Sequence, residues 1–239
     1  MYDPVFNAIF SMKSTEPRWW NGGEPIWVTA RRNNLTSATF YWPGSEAEVR
    51  GYRPNIWMPY NESVPFIYRI DKTIEWLTVN KTDIAILYFH EPDSTGHIYG
   101  PDSREIRAKI RDMDKILGYL LSKFDTNKLW DKVNLIVTSD HGMTTIDTSN
   151  QVVDITDHVD MNSISFTVDN GPIMQIHPAE GQIDQVIQSL QNVSHVTVYK
   201  KDDIPDHWHY RNNRRIMPVI LVADEGWSIT KVIILDMLC

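Results

Sequence analysis

The chain has 239 residues, and 31 acidic side chains against 23 Lys and Arg give a net charge of −8. A hydrophobic fraction of 42% with 11% aromatics can build a sizeable core and excludes a mainly disordered chain. The acidic balance excludes a general binder of nucleic-acid duplexes, which needs a basic surplus to neutralise phosphates. The length suits one domain or a large piece of one, and no internal repeat, low-complexity stretch or linker divides it.

Cys239 is the one cysteine, so no disulfide can form within the chain. No run reaches the ~18 apolar residues of a membrane span, and Met1-Tyr2-Asp3-Pro4 does not read as a signal peptide. Four Asn-x-Ser/Thr sequons, at Asn34, Asn61, Asn80 and Asn192, are candidate glycosylation sites.

In chain order, the first sixty residues are aromatic and broken by Gly22-Gly23, Pro25, Pro43-Gly44 and Pro54. The runs 25–30 and 37–41 read as short strands ended by turn residues. From Ser63, a candidate N-cap, with Pro65 in the first turn, Ile67, Ile70, Ile74 and Leu77 recur at helical spacing. Residues 83–89 form a nearly continuous apolar run, as in a strand covered on both faces. A helix over 103–124 follows, with Ile106, Ile110, Met113, Leu117, Leu120 and Phe124 on one stripe. Further strands are expected at 133–138, 164–168, 172–177, 195–199, 216–223 and 232–235, and a helix at 182–191. This alternation predicts an α/β fold with a doubly wound, mainly parallel sheet and helices on both faces.

Two motifs fall just past the C-terminal ends of expected core strands, where open α/β sheets place their sites. One is His90-Glu91-Pro92-Asp93-Ser94-Thr95-Gly96-His97, and the other is Thr138-Ser139-Asp140-His141-Gly142-Met143. The intervening helix makes this a βαβ unit, which brings Asp93 and His97 to the same sheet edge as Asp140 and His141. Two carboxylates and two imidazoles suit zinc or a similar divalent ion better than calcium, which takes oxygen ligands. His90, His158, His177, His195, His207 and His209 read as surface or structural histidines.

Glu91-Pro92-Asp93-x-x-Gly96-His97-x-x-Gly100-Pro101, followed by Ser139-Asp140-His141-Gly142-Met143, resembles the nucleotide pyrophosphatase/phosphodiesterase (ectonucleotide pyrophosphatase/phosphodiesterase) family of the alkaline phosphatase superfamily. Met1-Tyr2-Asp3-Pro4, Pro25-Ile26-Trp27-Val28-Thr29, Trp42-Pro43-Gly44-Ser45, Tyr60-Asn61-x-Ser63-Val64 and Ala223-Asp224-Glu225-Gly226-Trp227 extend the likeness along almost the whole chain.

The resemblance implies a two-zinc phosphodiesterase domain of which residues 1–239 are the central portion, so the alkaline-phosphatase-like fold is expected to be incomplete. Asp93 and His97 would bind one zinc, and Asp140 and His141 the other. Trp42, Tyr60 and Tyr99 fall where the family lines its substrate pocket, Tyr60 at a position that stacks on a base. Glu46 stands where some members have an aspartate. The family's nucleophilic threonine, first zinc aspartate and oxyanion-binding asparagine lie upstream of Met1, and a further zinc histidine lies downstream. The chain would thus hold four of six zinc ligands and no catalytic nucleophile, and the sheet's missing first strand would leave an apolar edge.

The implied activity is zinc-dependent hydrolysis of phosphodiester or pyrophosphate bonds in nucleotides or related extracellular substrates. The alternatives are a non-catalytic glycoprotein fragment and a phosphodiesterase for choline-type lipid headgroups. The family implies an extracellular or cell-surface place, with membrane anchoring only through segments outside this chain.

Overall fold

The computed structural model describes residues 1–231; the strand expected over 232–235 lies outside the described residues. The chain groups into two compact units, one from residues 1–11 with those from 144 on, the other from residues 12–143.

The chain opens with an antiparallel pair, β1 (Tyr2–Asp3) and β2 (Ala8–Ile9). Asp3 closes the turn between them by accepting the amides of Val5 and Phe6 at 3.0 and 3.2 Å. Its fully buried carboxylate also receives Arg214 Nη2 at 2.9 Å and Arg215 Nε at 2.6 Å.

Residues 12–143 run α1 (Pro17–Trp20), α2 (Ile26–Arg32), β3 (Ser37–Phe40), β4 (Ile56–Met58), α3 (Phe66–Thr78), β5 (Ile84–Leu87), α4 (Asp93–Tyr99) and α5 (Arg104–Thr126). The sheet order is β4-β3-β5, all parallel, with β3 wholly buried in the centre. Ile70 and Ile74 of α3 meet Leu120 and Phe124 of α5 in one core cluster with Leu129. Ser103 caps α5, its hydroxyl accepting the Ile106 amide at 3.1 Å.

Three expectations are corrected here. Residues 25–30 are helical, not a strand. Pro25 presets the backbone at the N-cap, the helix runs on to Arg31 and Arg32 at its C-terminus, and Trp27, Val28 and Ala30 are buried. Ser63 does not cap α3; Pro65 holds that position without a side-chain bond, and the Ser63 hydroxyl donates to Asn61 Oδ1 at 2.7 Å. Residues 133–138 are not a strand. Val133 and Leu135 pack on the cluster around Phe124, while Ile136 and Val137 face outward, 84% and 66% exposed. No ladder partner exists for this segment among the described residues.

The other unit adds β6 (Val152–Asp154), β7 (Ile164–Val168), β8 (Ile173–Pro178), α6 (Ile183–Leu190), β9 (Val196–Lys200), β10 (Val219–Ala223) and β11 (Ser228–Thr230). The α/β class is as expected, but the sheets are mixed. The order β7-β8-β10-β9 is antiparallel at every pairing, whereas β11 pairs parallel with β6. A tight turn with Asp169 and Gly171 at φ +66° and +119° joins β7 to β8, and so short a link can only return the chain antiparallel. The βαβ step β8-α6-β9 is present, with β10 inserted between its strands. Ile155, Met174, Ile176, Val219, Leu221 and Ile229 lie at the centre of this core, all fully buried. Among the described residues no helix is long and apolar enough to cross a membrane.

Candidate active site

Because β3, β4 and β5 are parallel, the segments leaving their C-terminal ends emerge at one sheet edge. Trp42 follows β3, Tyr60 follows β4, and His90 to Asp93 follow β5. Asp93 opens α4 and His97 lies one turn later on the same face, its Nε2 3.3 Å from Asp93 Oδ1. Glu91 steadies the start of this helix. Its Oε2 accepts the Thr95 amide at 3.0 Å, and Lys109 Nζ stands 3.2 Å from Oε1. Burial would raise the Glu91 carboxyl, but these partners hold it below the usual carboxylate range.

The 139–143 segment meets α4. Met143 Sδ would clash with a Cβ on Gly96, so this close approach requires glycine or a displaced methionine. His141 Nε2 is 3.8 Å from Asp93 Oδ1 and 3.7 Å from Asp140 Oδ2. The Gly142 carbonyl, 2.8 Å from His141 Nδ1, pushes the imidazole's pKa up, aided by the charges of Asp140 and Asp93.

Of the four residues singled out in the two motifs, His97 and His141 both approach Asp93, while Asp140 lies near its neighbour His141 alone. Asp93 Oδ1 is a buried oxygen with no hydrogen-bond partner, although imidazole nitrogens approach it from two sides. Asp140 is the outlying member, 84% exposed. Among the described residues no three His, Cys, Asp or Glu side chains stand in a ready-made ligating arrangement. The donor chemistry still fits a divalent metal: an orphaned carboxylate oxygen amid imidazole nitrogens is the mixed oxygen and nitrogen set that zinc accepts.

Trp42 and Tyr60 line one cavity of about 290 Å³, together with Trp20, Tyr41, Glu46 and Tyr88. Tyr41 and Tyr60 meet edge to face at 5.2 Å. Burial raises the pKa of the Tyr88 phenol, and the charges of Tyr60, Asp140 and Asp93 raise it further, which ties this wall electrostatically to the carboxylate cluster. Tyr99 ends α4, 57% exposed, and is not among the residues lining the cavity.

The sequence reading did not single out Tyr41, Tyr88 or Arg69. The first two directly follow β3 and β5, so the rule that sites lie past the C-terminal ends of parallel strands also reaches them. Arg69 is a lone cation inside the apolar stripe of α3. It is fully buried, donating to the carbonyls of Glu62, Val64 and Tyr88 at 3.0 to 3.1 Å between the rings of Tyr41 and Phe66. It thereby ties the segment after Tyr60 to the end of β5. Of the remaining histidines, His177 stacks on Phe166, and His195 stacks on Trp227 while bonding Asp224 at 3.1 Å.

One cavity wall is sterically fixed. Gly44 adopts φ +82°, and a Cβ there would lie 2.5 Å from the Trp20 ring, itself tethered through Nε1 to the Ser14 carbonyl at 2.8 Å. Gly44→Ala is expected to destabilise residues 12–143 by roughly 2 kcal/mol in urea unfolding; an unchanged midpoint would contradict this packing.

Fold and site thus define an α/β protein with a carboxylate–imidazole cluster and an aromatic cavity at the C-terminal edge of a parallel sheet. Residues 1–236 match the type I phosphodiesterase / nucleotide pyrophosphatase family. The chain is 41% identical over 234 residues to human ectonucleotide pyrophosphatase/phosphodiesterase family member 5, covering 96% of this chain and 49% of that protein. It is 37% identical over 235 residues to the Xenopus laevis bis(5'-adenosyl)-triphosphatase enpp4, covering 97% and 51%. Solved murine ENPP5 superposes with a TM-score of 0.89 at 41% identity, covering 97% of this chain and 63% of that one. A second murine ENPP5 structure, an inactive variant in complex with AMP, superposes equally well. The chain belongs to the nucleotide pyrophosphatase/phosphodiesterase family of the alkaline phosphatase superfamily. It spans about half the length of the curated relatives it matches.

Proposed function

We propose that this chain carries metal- and base-binding parts of an enzyme that hydrolyses phosphodiester or pyrophosphate bonds in nucleotides or related extracellular substrates. Asp93 and His97 would hold one zinc, and Asp140 and His141 the other. The observation that carries this reading is Asp93 Oδ1, buried without a hydrogen bond between two imidazole nitrogens. Bound there, zinc supplies Lewis acidity that offsets charge on phosphoryl oxygens. Trp42 and Tyr60 offer planar faces on which a base can stack with little entropy to lose. The names of the relatives, a bis(5'-adenosyl)-triphosphatase and an AMP complex among them, support a small nucleotide as ligand. No residue of this chain takes the nucleophile's role in this reading.

With Zn²⁺ present, the 239-residue chain is expected to bind AMP yet show no turnover of a p-nitrophenyl nucleotide ester above blank. Trp42→Ala and Tyr60→Ala should each weaken AMP binding roughly tenfold or more, as loss of a stacking face does. Absence of AMP binding would remove the base-binding role. Robust turnover abolished by Asp140→Ala would place a nucleophile inside this chain and overturn that part.

We also propose an extracellular or cell-surface setting with N-linked glycans. Asn34, Asn61, Asn80 and Asn192 are all exposed. Secreted behind an added signal, the chain should drop in apparent mass when treated with a peptide-N-glycosidase; an unchanged band would refute the modification.

A further inference from the structure

Helix α5 carries a row of cations. At about 3.6 residues per turn, Arg104, Arg107, Arg111 and Lys115 fall on one stripe, roughly 16 Å long at a rise of ~1.5 Å per residue. All four are exposed, and the stripe lies opposite the face that buries Ile106, Leu120 and Phe124. Lys115 is bonded to Asp112 at 2.9 Å, and the nearby Lys109 is drawn to Glu91 at 3.2 Å. The guanidinium groups of Arg104, Arg107 and Arg111 have no hydrogen bond or ion pair among the described residues, although Asp112 lies within electrostatic range of Arg111. Glu105, Asp112 and Asp114 stand to the sides of the stripe rather than on it.

Like charges three and four residues apart weaken a helix, so this row does not serve the stability of α5. A chain of net charge −8 that gathers free arginines on one outward stripe presents an anion with a local reversal of its field. Guanidinium forks match paired anionic oxygens. A row of them along a rod suits an extended polyanion, whose condensed counterions are released on binding. We infer that α5 docks a sulfated glycosaminoglycan along Arg104, Arg107 and Arg111. The choice of polymer rests on the extracellular setting proposed above, and the nucleotide cavity takes no part. A lipid surface fits less well, because the apolar side of α5 is already packed against α3 and leaves nothing to insert.

The test measures binding of the 239-residue chain to immobilised heparin by surface plasmon resonance, at low and at physiological salt. Arg104→Gln/Arg107→Gln/Arg111→Gln keeps good helix formers at exposed positions and should bind roughly tenfold more weakly or worse, with a shallower salt dependence. Lys128→Gln/Lys132→Gln/Lys200→Gln removes the same charge from other exposed positions and should stay within about twofold of wild type. Equal losses in the two variants would mean that bulk charge, not the stripe, holds the polymer, and would overturn the inference. So would a wild type that ignores heparin, binds desulfated heparin as tightly, or prefers phosphatidylserine vesicles. Displacement of heparin by AMP would put the polymer in the aromatic cavity and overturn it as well. Failure of the extracellular setting shows in the glycosidase assay, and failure of the nucleotide reading in AMP binding, so each is told apart from failure of the stripe.

Discussion

Asp93→Ala should lower the affinity of the chain for Zn²⁺ or Co²⁺ on the order of a hundredfold, measured by competition with a chromophoric chelator. The magnitude follows from position. Asp93 Oδ1 lies within 3.3 Å of His97 Nε2 and 3.8 Å of His141 Nε2, so its loss strips both motifs of their shared neighbour. Asp140 approaches only His141, at 3.7 Å, and is mostly exposed. Asp140→Ala should therefore cost less than Asp93→Ala. The reverse order, or Asp93→Ala binding as tightly as wild type, would leave the convergence around Asp93 without a role in metal binding. Asp93→Asn nearly preserves shape and removes the charge, so it separates loss of a ligand from loss of packing.

The largest effect on stability is expected at Asp3. Its carboxylate is fully buried and receives Arg214, Arg215 and two backbone amides. Burial alone would raise the pKa, but the two guanidinium groups, helped by the amides of Phe6 and Val5, hold it far below the usual carboxylate range. A depressed folded-state pKa means that the stabilisation is present above the unfolded value and is lost as pH falls toward the folded one. Wild type should therefore lose stability below about pH 4, where unfolded carboxylates take up protons. Asp3→Ala should cost roughly 3 kcal/mol at pH 7, because it leaves two partly buried cations facing each other. The deficit should narrow at pH 3. Urea titrations at both pH values check this, and a deficit that is constant with pH would show that packing, not charge, is what Asp3 contributes.

Much of residues 12–143 was legible because burial there follows period. In α5 the expected stripe buries Ile106, Leu120 and Phe124 but leaves Ile110 exposed, the run at β5 is a strand that is only partly buried, and Ser103 caps as serine does. The run 25–30 misled because Ile26, Trp27, Val28 and Thr29 are residues that strands favour. Pro25 before them and Ala30-Arg31-Arg32 after them carry the helical signal, and packing of Trp27 and Val28 overrides local preference. The run 133–138 shows a different limit: an apolar pattern reports a wish to be buried, while a ladder needs a neighbour that no pattern names. Strand direction beyond residue 164 was likewise hidden, since β10 enters between β8 and β9 and only the turn at 169–171 hints at reversal.

In the candidate site, residue types and motif spacing singled out Asp93, His97, Asp140 and His141, while Trp42 and Tyr60 came from the family resemblance; the strand expected before Asp140 is absent among the described residues. The sequence could not show that Asp93 occupies the middle, because that depends on how α4 turns against the 139–143 segment. Arg69 escaped for a related reason: a cation held by carbonyls and ring faces has no partner residue to announce it.

The clamp on Asp3 also bears on how the protein is made. Residues 12–143 are continuous in sequence, so contacts within that unit wait for no residue made later than 143. Asp3, by contrast, must wait for Arg214 and Arg215, more than two hundred residues further along the chain, before its charge is answered. Until both arginines have been made, the segment around Asp3 stays unclamped and open to chaperones.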